Sequence, residues 1–315
     1  MIRGVNEMSQ PKDFNSLYDL TEYFDTEEKC LEHLKSVRWK EGKYCPHCGS
    51  LKVYEFSNGK TYKCGDCRKK FSVKVGTIFE DTKIPLRKWF MAIYLLTSHK
   101  KGISSMQLAR DIKITQKSAW FILHRLRYAS QSKSFRMKLS GDVEVDETYL
   151  GGKQANKHKS KRESGTPGRS MKTKSVAFGM LERGGELRMI PLDDTKKKNI
   201  QPVIVQNIEQ GSNIMTDDYK SYRGLNKKYN HGVVKHSLKM YVEKGNIHTN
   251  SVEGALSLFK RGIIGIYHHI SRKHLPLYLG EFSYRYNTRE FQEDHRIDNF
   301  LDRCNGRLTY ARLIS

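Results

Sequence analysis

Val143-Glu-Val-Asp-Glu-Thr-Tyr-Leu-Gly-Gly152 is the stretch that decides the fold. Side chains alternate along a strand, so Val143 and Val145 share one face while Glu144 and Asp146 share the other. The valines predict burial against a core, and the paired glycines predict a turn. Acids on a buried strand are costly unless something pairs with them. A divalent cation held by carboxylate oxygens is the natural partner.

Two more segments carry the same theme. Pro202–Ile208 reads as a helix, followed by a short strand over 213–217 that delivers Asp217 at its C-terminal end, with Asp218 as the register competitor. Thr249–Arg261 reads as a helix whose apolar stripe is Val252, Ala255, Leu256 and Phe259. Asn250, Glu253, Ser257 and Lys260 form a second stripe on which Glu253 and Lys260 nearly eclipse each other. Two strand-borne acids plus one helix-borne acid are what two-metal phosphoryl transfer needs, because ions about 3.5–4 Å apart share one carboxylate and take a flanking acid each. Asp146, Asp217 and Glu253 are therefore the expected ligands of two Mg²⁺ or Mn²⁺ ions, with Lys260 holding a DNA phosphate beside them.

Around these segments, residues 139–290 alternate apolar runs and turns in the manner of an α/β domain. Within it, Lys153–Lys174 is rich in Lys and Arg and has no apolar periodicity, which predicts a mobile basic loop. Lys157, Lys159, Lys161 and Arg162 are its candidate DNA contacts, and Arg261 adds another beside Lys260.

Upstream, Cys45-Pro-His-Cys48 and Cys64-Gly-Asp-Cys67 have the spacing of two metal knuckles, since each C-x-x-C turn points two thiolates at one tetrahedral ion. Asn58-Gly59 between them predicts a hairpin, and Phe71-Ser-Val73 a third strand. Four thiolates leave no ligand position open, so the expected ion is one structural Zn²⁺ in a ribbon spanning 41–80. Residues 83–130 read as three helices. Pro85 opens the first, Ser104 or Ser105 can cap the second, and Thr115 can cap the third over Gln116–Tyr128. A short helix, a tight turn and a basic helix predict a helix-turn-helix, with Lys117, Arg125 and Arg127 as candidate DNA contacts. Residues 1–40 read as a partly helical segment and 291–315 as a polar tail.

Charge fits this organisation. The 57 Lys and Arg outnumber the 34 Asp and Glu, for a net charge of +23. Such a surplus favours a polyanionic partner. The longest apolar stretch, Trp89–Leu96, is far short of the ~20 residues that span a membrane, and Met1–Glu7 has no apolar run of the secretory kind. A cytoplasmic protein associated with the nucleoid is the expectation.

Together the segments CPHCGS and CGDCRKKFSVKVGTIFE (within 45–80), VEVDETYLGGK (143–153), SVAFGMLERGGELR (175–188), TDDYKSYRGL (216–225) and HTNSVEGALSLFKRGIIGIYHHISRKHLPLYLGEFSYRYNTR (248–289) resemble bacterial insertion-sequence transposases. Those carry an N-terminal zinc ribbon and a DDE-type ribonuclease-H-like domain. The resemblance implies a multidomain α+β chain: zinc ribbon, helix-turn-helix, then a ribonuclease-H-like α/β domain with a mixed sheet. It implies DNA cleavage at terminal inverted repeats, strand transfer, and a homodimer or higher assembly in a synaptic complex. Asp146 and Asp217 take the first two acid positions, and either Asn250 or Glu253 the third. Glu253 is the choice here, because a carboxylate binds a metal better than an amide. Where the family has an aromatic residue just after Glu-Gly, this chain has Ala255-Leu256. A non-catalytic DNA-binding regulator and a domesticated ribonuclease-H-like nuclease are the alternatives; the regulator leaves the three acids unexplained.

Overall fold

The computed structural model describes residues 14–131, 137–151, 158–161, 174–234 and 247–315. The chain forms two compact units. One takes residues up to 98, 105–129 and 290–315; the other takes 99–104 and 130–289.

In the first unit, α1 (Leu17–Tyr23) starts at Ser16, whose hydroxyl accepts from the Asp19 amide while the Asp19 carboxylate accepts from the Ser16 amide. This reciprocal box satisfies two otherwise orphaned donors. Helix α2 (Glu27–Arg38) buries Cys30, His33 and Leu34. The Glu27 carboxylate accepts from the Leu86 and Arg87 amides and so caps α3 (Leu86–Ser98), an almost wholly apolar helix burying Trp89, Phe90, Ile93 and Leu96.

The ribbon is a three-stranded antiparallel sheet of β1 (Val53–Glu55), β2 (Tyr62–Cys64) and β3 (Lys70–Phe71). The Asn58-Gly59 turn joins the first two, and Gly59 has φ +61°, a conformation glycine adopts without steric cost. The ribbon leans on α2, where Trp39 packs edge-on against Tyr62 with ring centroids 4.8 Å apart and the Lys35 ammonium donates to the Gly59 carbonyl.

Helix α4 (Ser105–Asp111) and helix α5 (Gln116–Gln131) are joined by a short break in which Lys113 has φ +50°. Thr115 caps α5 by accepting from the Ser118 amide. The expected polar tail is instead structured. Helices α9 (Glu293–Leu301) and α10 (Tyr310–Ile314) bury Ile297, Phe300, Leu301 and Leu313. The Ile78 amide donates to the Cys304 carbonyl, and the Gly306 amide donates to that of Gly76.

This covering corrects the reading of α5. Arg125 and Arg127, expected at a DNA surface, are only 7% and 1% exposed. The Arg125 guanidinium donates to the backbone carbonyls of Ile78, Glu80 and Leu308. It is therefore an internal tie of this unit. Along α5 only Gln116 and Lys117 are exposed; Ser118, Trp120, Phe121, Tyr128 and Gln131 are half-buried and the rest are buried.

The second unit is built on a five-stranded mixed sheet. Its order is β6 (Leu187–Leu192), β5 (Ser175–Glu182), β4 (Asp142–Leu150), β7 (Asn213–Asp217) and β8 (Asn230–Val234). The β4–β5 and β5–β6 pairs are antiparallel, while β4–β7 and β7–β8 are parallel. On one face α6 (Lys197–Asn207) sets Ile200 and Ile204 against Val143, Val145, Phe178 and Ile214. On the other, α7 (Asn250–Gly262) and α8 (Leu275–Asn287) pack Val252, Leu256, Phe259 and Phe282 against Ala177, Leu181 and Met189.

Helix α6 begins at Lys197 rather than at Pro202, which lies inside it. Burial of Ile200 and Ile204 outweighs the local preference of proline for a helix start. Gly179 lets α7 lie close to the sheet: a Cβ there would stand 3.2 Å from both Val252 Cγ2 and Leu256 Cδ2. Gly179 is also the cross-strand partner of Asp146. Among the described residues, no helix is long and apolar enough to cross a membrane.

Candidate active site

The register of β4 on β7 pairs Asp142 with Asn213, Val143 with Ile214 and Glu144 with Met215. The paired residues end there; continued two residues along both strands, the same register would set Asp146 opposite Asp217. Neighbouring residues at one level of a parallel pair point to the same face, so that register would present both aspartates side by side. The half-buried Asp146 has its carboxyl pushed up to about 7. Burial is the main cause, followed by the adjacent Glu147 charge, with Asp217 and Glu253 adding further repulsion. Asp217 and Glu253 therefore both lie within electrostatic reach of Asp146. Asp218 is exposed on the bend that follows β7.

Asp217 and Glu253 are each oriented by a hydrogen bond. The Tyr219 amide donates to Asp217 Oδ1 at 3.0 Å. The Thr249 hydroxyl donates to Glu253 Oε1 at 2.6 Å. Asn250, one turn before Glu253, is exposed, as are Ser257 and Lys260 along the same stripe. Clustered carboxylates that repel one another suit hard divalent cations, which remove the repulsion on binding. The donor set thus fits Mg²⁺ or Mn²⁺.

Glu144, which shares a face of β4 with Asp146, finds its partners within the protein. It is fully buried, and its carboxylate is taken up by Arg183 and by the first amides of α7. Sequence reading named Glu144 as an acid in need of a partner but missed that partner, Arg183, and the hydrogen bond from Thr249 to Glu253. The buried face of β4 was a signal for an acid that needs a partner, but nothing local pointed to Arg183, which lies in the turn between β5 and β6.

Beside α7 a cleft of about 420 Å³ is lined by Lys260, Lys174, Arg272, His268 and Tyr149, among others. Its cations surround the end of α7 that carries Lys260. Another cleft of about 330 Å³ is lined by Asp217, Tyr219, Arg223 and His231. Of the remaining basic candidates, Lys117, Lys159 and Arg261 are exposed. Lys161 ends a short 3-10 turn over Lys159–Lys161, while Lys157 and Arg162 lie outside the described residues.

The ribbon's metal centre is more fully drawn. The Sγ atoms of Cys45, Cys48, Cys64 and Cys67 all lie within 4.8 Å of one another. Cys45 Sγ is 3.7 Å from Cys67 Sγ, and Cys48 Sγ is 3.6 Å from Cys64 Sγ. A tetrahedron with Zn–S near 2.3 Å has edges of about 3.8 Å, so the four sulfurs fit zinc. The His47 amide donates to Cys45 Sγ and the Cys67 amide to Cys64 Sγ, each at 3.4 Å, and the Cys67 amide helps hold the Cys64 thiol down at about 6. His47 is not part of the four-sulfur group. Cys30 and Cys304 stand apart as buried thiols, and burial pushes Cys30 up to about 12.

Residues 138–287 match the ISXO2-like transposase domain, and residues 25–70 match the transposase zinc-ribbon domain. An uncharacterized protein in transposable element ISH50 of Halobacterium salinarum is 29% identical over 274 residues, covering 83% of this chain and 91% of that protein. No solved structure matches the chain.

Proposed function

We propose, for a chain whose residues 138–287 belong to the ISXO2-like transposase domains and whose residues 25–70 belong to the transposase zinc ribbons, that Asp146, Asp217 and Glu253 form the centre at which DNA is cut and joined. What supports this reading is the parallel pairing of β4 with β7, the strands that carry Asp146 and Asp217, together with the Asp217 and Glu253 charges acting on Asp146. The order β6-β5-β4-β7-β8, antiparallel on one side of β4 and parallel on the other, supports the ribonuclease-H-like reading.

Asp146, Asp217 and Glu253 would hold two Mg²⁺ or Mn²⁺ ions. When bound, these supply activation of the attacking oxygen and stabilisation of the leaving one. Lys260 and the cationic lining of its cleft hold the phosphodiester in place. Burial around Asp146 limits water and strengthens the electrostatics of the site. The freed 3′-hydroxyl then attacks a second DNA, which gives strand transfer.

The helix-turn-helix of α4 and α5 reads the element's terminal repeats through the first turn of α5, with Lys117 as its cation, while the zinc ribbon stabilises the same unit. Lys159, Lys161 and Arg261 add backbone contacts, and so do Lys157 and Arg162 on the basic loop. Synapsis of two element ends calls for at least a dimer, acting on DNA in the cytoplasm.

The test is cleavage of a plasmid carrying the element's ends, with Mg²⁺ or with EDTA. Wild type cuts only with metal, and Asp146→Asn and Asp217→Asn abolish cutting without loss of DNA binding. Glu253→Ala abolishes cutting while Asn250→Ala retains most of it; the reverse pattern assigns the third ligand to Asn250. Binding without cutting in either Mg²⁺ or Mn²⁺ returns the chain to a regulator.

A further inference from the structure

We propose that Glu144 and Thr249 are positioning residues that together lock the Glu253 carboxylate against the strand carrying Asp146. The proposal rests on the reading of Asp146 and Glu253 as metal-binding acids.

A helix start exposes amides that an N-cap side chain normally satisfies at the second and third positions. Thr249 occupies the N-cap of α7, yet its side chain makes no capping bond. Its hydroxyl donates instead to Glu253 Oε1 at 2.6 Å. The capping role is taken by a residue of another element. Glu144 Oε2 accepts from the Ser251 amide at 2.8 Å and from the Val252 amide at 3.0 Å. Its other oxygen, Oε1, accepts from Arg183 Nε at 2.7 Å, and His248 Nδ1 lies 3.1 Å from it. Arg183 also donates through Nη2 to the His248 carbonyl at 3.0 Å, so it grips the segment entering α7 as well.

Glu144 stands two residues before Asp146 on β4. A fully buried carboxylate with this many donors fixes the start of α7 relative to the strand. The exchange of roles then frees the Thr249 hydroxyl to hold Glu253. Mutual placement of the metal-binding acids thus depends on a set of contacts that touches neither metal nor DNA. Residues that orient ligands in this way typically change metal affinity by about 10–100-fold when replaced.

The experiment is titration of the zinc-loaded full chain with Mn²⁺, free ion being read by electron paramagnetic resonance without DNA. Zinc content and thermal unfolding serve as checks of folding. The variants are Glu144→Gln, Arg183→Gln, Thr249→Val and Thr249→Ser, with Asp146→Asn as reference. The lock predicts about tenfold weaker Mn²⁺ binding for Glu144→Gln, Arg183→Gln and Thr249→Val, and near-normal binding for Thr249→Ser, which keeps the hydroxyl.

Arg183→Gln decides between explanations. If Glu144 acts only by its charge, or is itself a ligand, removing the neighbouring cation tightens Mn²⁺ binding; the lock requires that it weaken. Tightening, or equal binding by Thr249→Val and Thr249→Ser, overturns the proposal. Should Glu144→Gln fail to fold, the Thr249 pair still decides, because Val and Thr have nearly the same shape. If Asp146→Asn loses Mn²⁺ while the lock variants keep it, the lock alone is wrong. If Asp146→Asn binds as wild type does, the metal-site reading falls, and the lock with it.

Discussion

Lys117 and Arg125 lie on one helix and have opposite fates. Both are cations off the main apolar stripe of α5, and the periodicity that separates core from surface treats them alike. Lys117 is exposed near the helix start, with its ammonium 5.5 Å from the centroid of the Tyr310 ring. Arg125 is enclosed, stacked 4.5 Å over Phe121 and tied to carbonyls on two other segments. Their variants should separate cleanly. Lys117→Ala leaves thermal stability unchanged and lowers the slope of log affinity against log salt by about 0.9, the value for one lost phosphate contact. Arg125→Met strands three carbonyls and destabilises the fold by roughly 2–4 kcal/mol in thermal or denaturant unfolding. Equal stability of the two variants would overturn the assignment of Arg125 as an internal tie. Sequence could not tell these residues apart, because what covers α5 arrives from residues 290–315, far along the chain.

Among the elements, the knuckles and hairpin of the ribbon were legible because their chemistry is local, two C-x-x-C turns at fixed spacing and an Asn-Gly turn, while the third strand, read over Phe71–Val73, lies over Lys70–Phe71. Its dependence on metal follows. Zinc removal by a strong chelator should undo β1 to β3 and expose Trp39, now 8% exposed against Tyr62, with a red shift of tryptophan emission that returns on adding Zn²⁺. An unchanged emission spectrum would mean that the ribbon holds without its ion. The sheet was legible in part. Alternation placed Asp146 and the acid-bearing end of β7, since both are written within a few residues. The partner of Glu144 was not legible, because Arg183 and the first amides of α7 meet it only through the sheet's topology. Gly179 is a similar case. It reads as one more strand residue, yet it sets how near α7 comes. Gly179→Val should force α7 outward, costing about 1–3 kcal/mol in unfolding measurements and weakening Mn²⁺ binding as well. A loss of stability with intact Mn²⁺ binding would show that the spacing of helix and sheet does not set the site.

At the scale of the molecule, the unit that carries ribbon and helices α1 to α5 is closed by the far end of the chain. The hydrogen bonds from Ile78 to Cys304, Gly306 to Gly76 and Arg125 to Leu308 all cross that closure, and Arg307 pairs with Glu80 at 3.0 Å. A protein ending at residue 289 should therefore lose the cooperative unfolding of its ribbon-bearing unit while keeping the Mn²⁺ site of the other. Retention of both would show that α9 and α10 are dispensable. The polar appearance of 291–315 hid this role, because its buried residues are spread among charged ones on short helices. The closure also has a consequence for synthesis. On the ribosome, residues 130–289 must emerge before the first unit can be completed. A message cut short, or a ribosome that stops early, does not release a finished ribbon-bearing unit without the unit built on the five-stranded sheet. Under the proposed function such fragments would occupy the element's ends unproductively, and the order of the chain makes them poor competitors from the start.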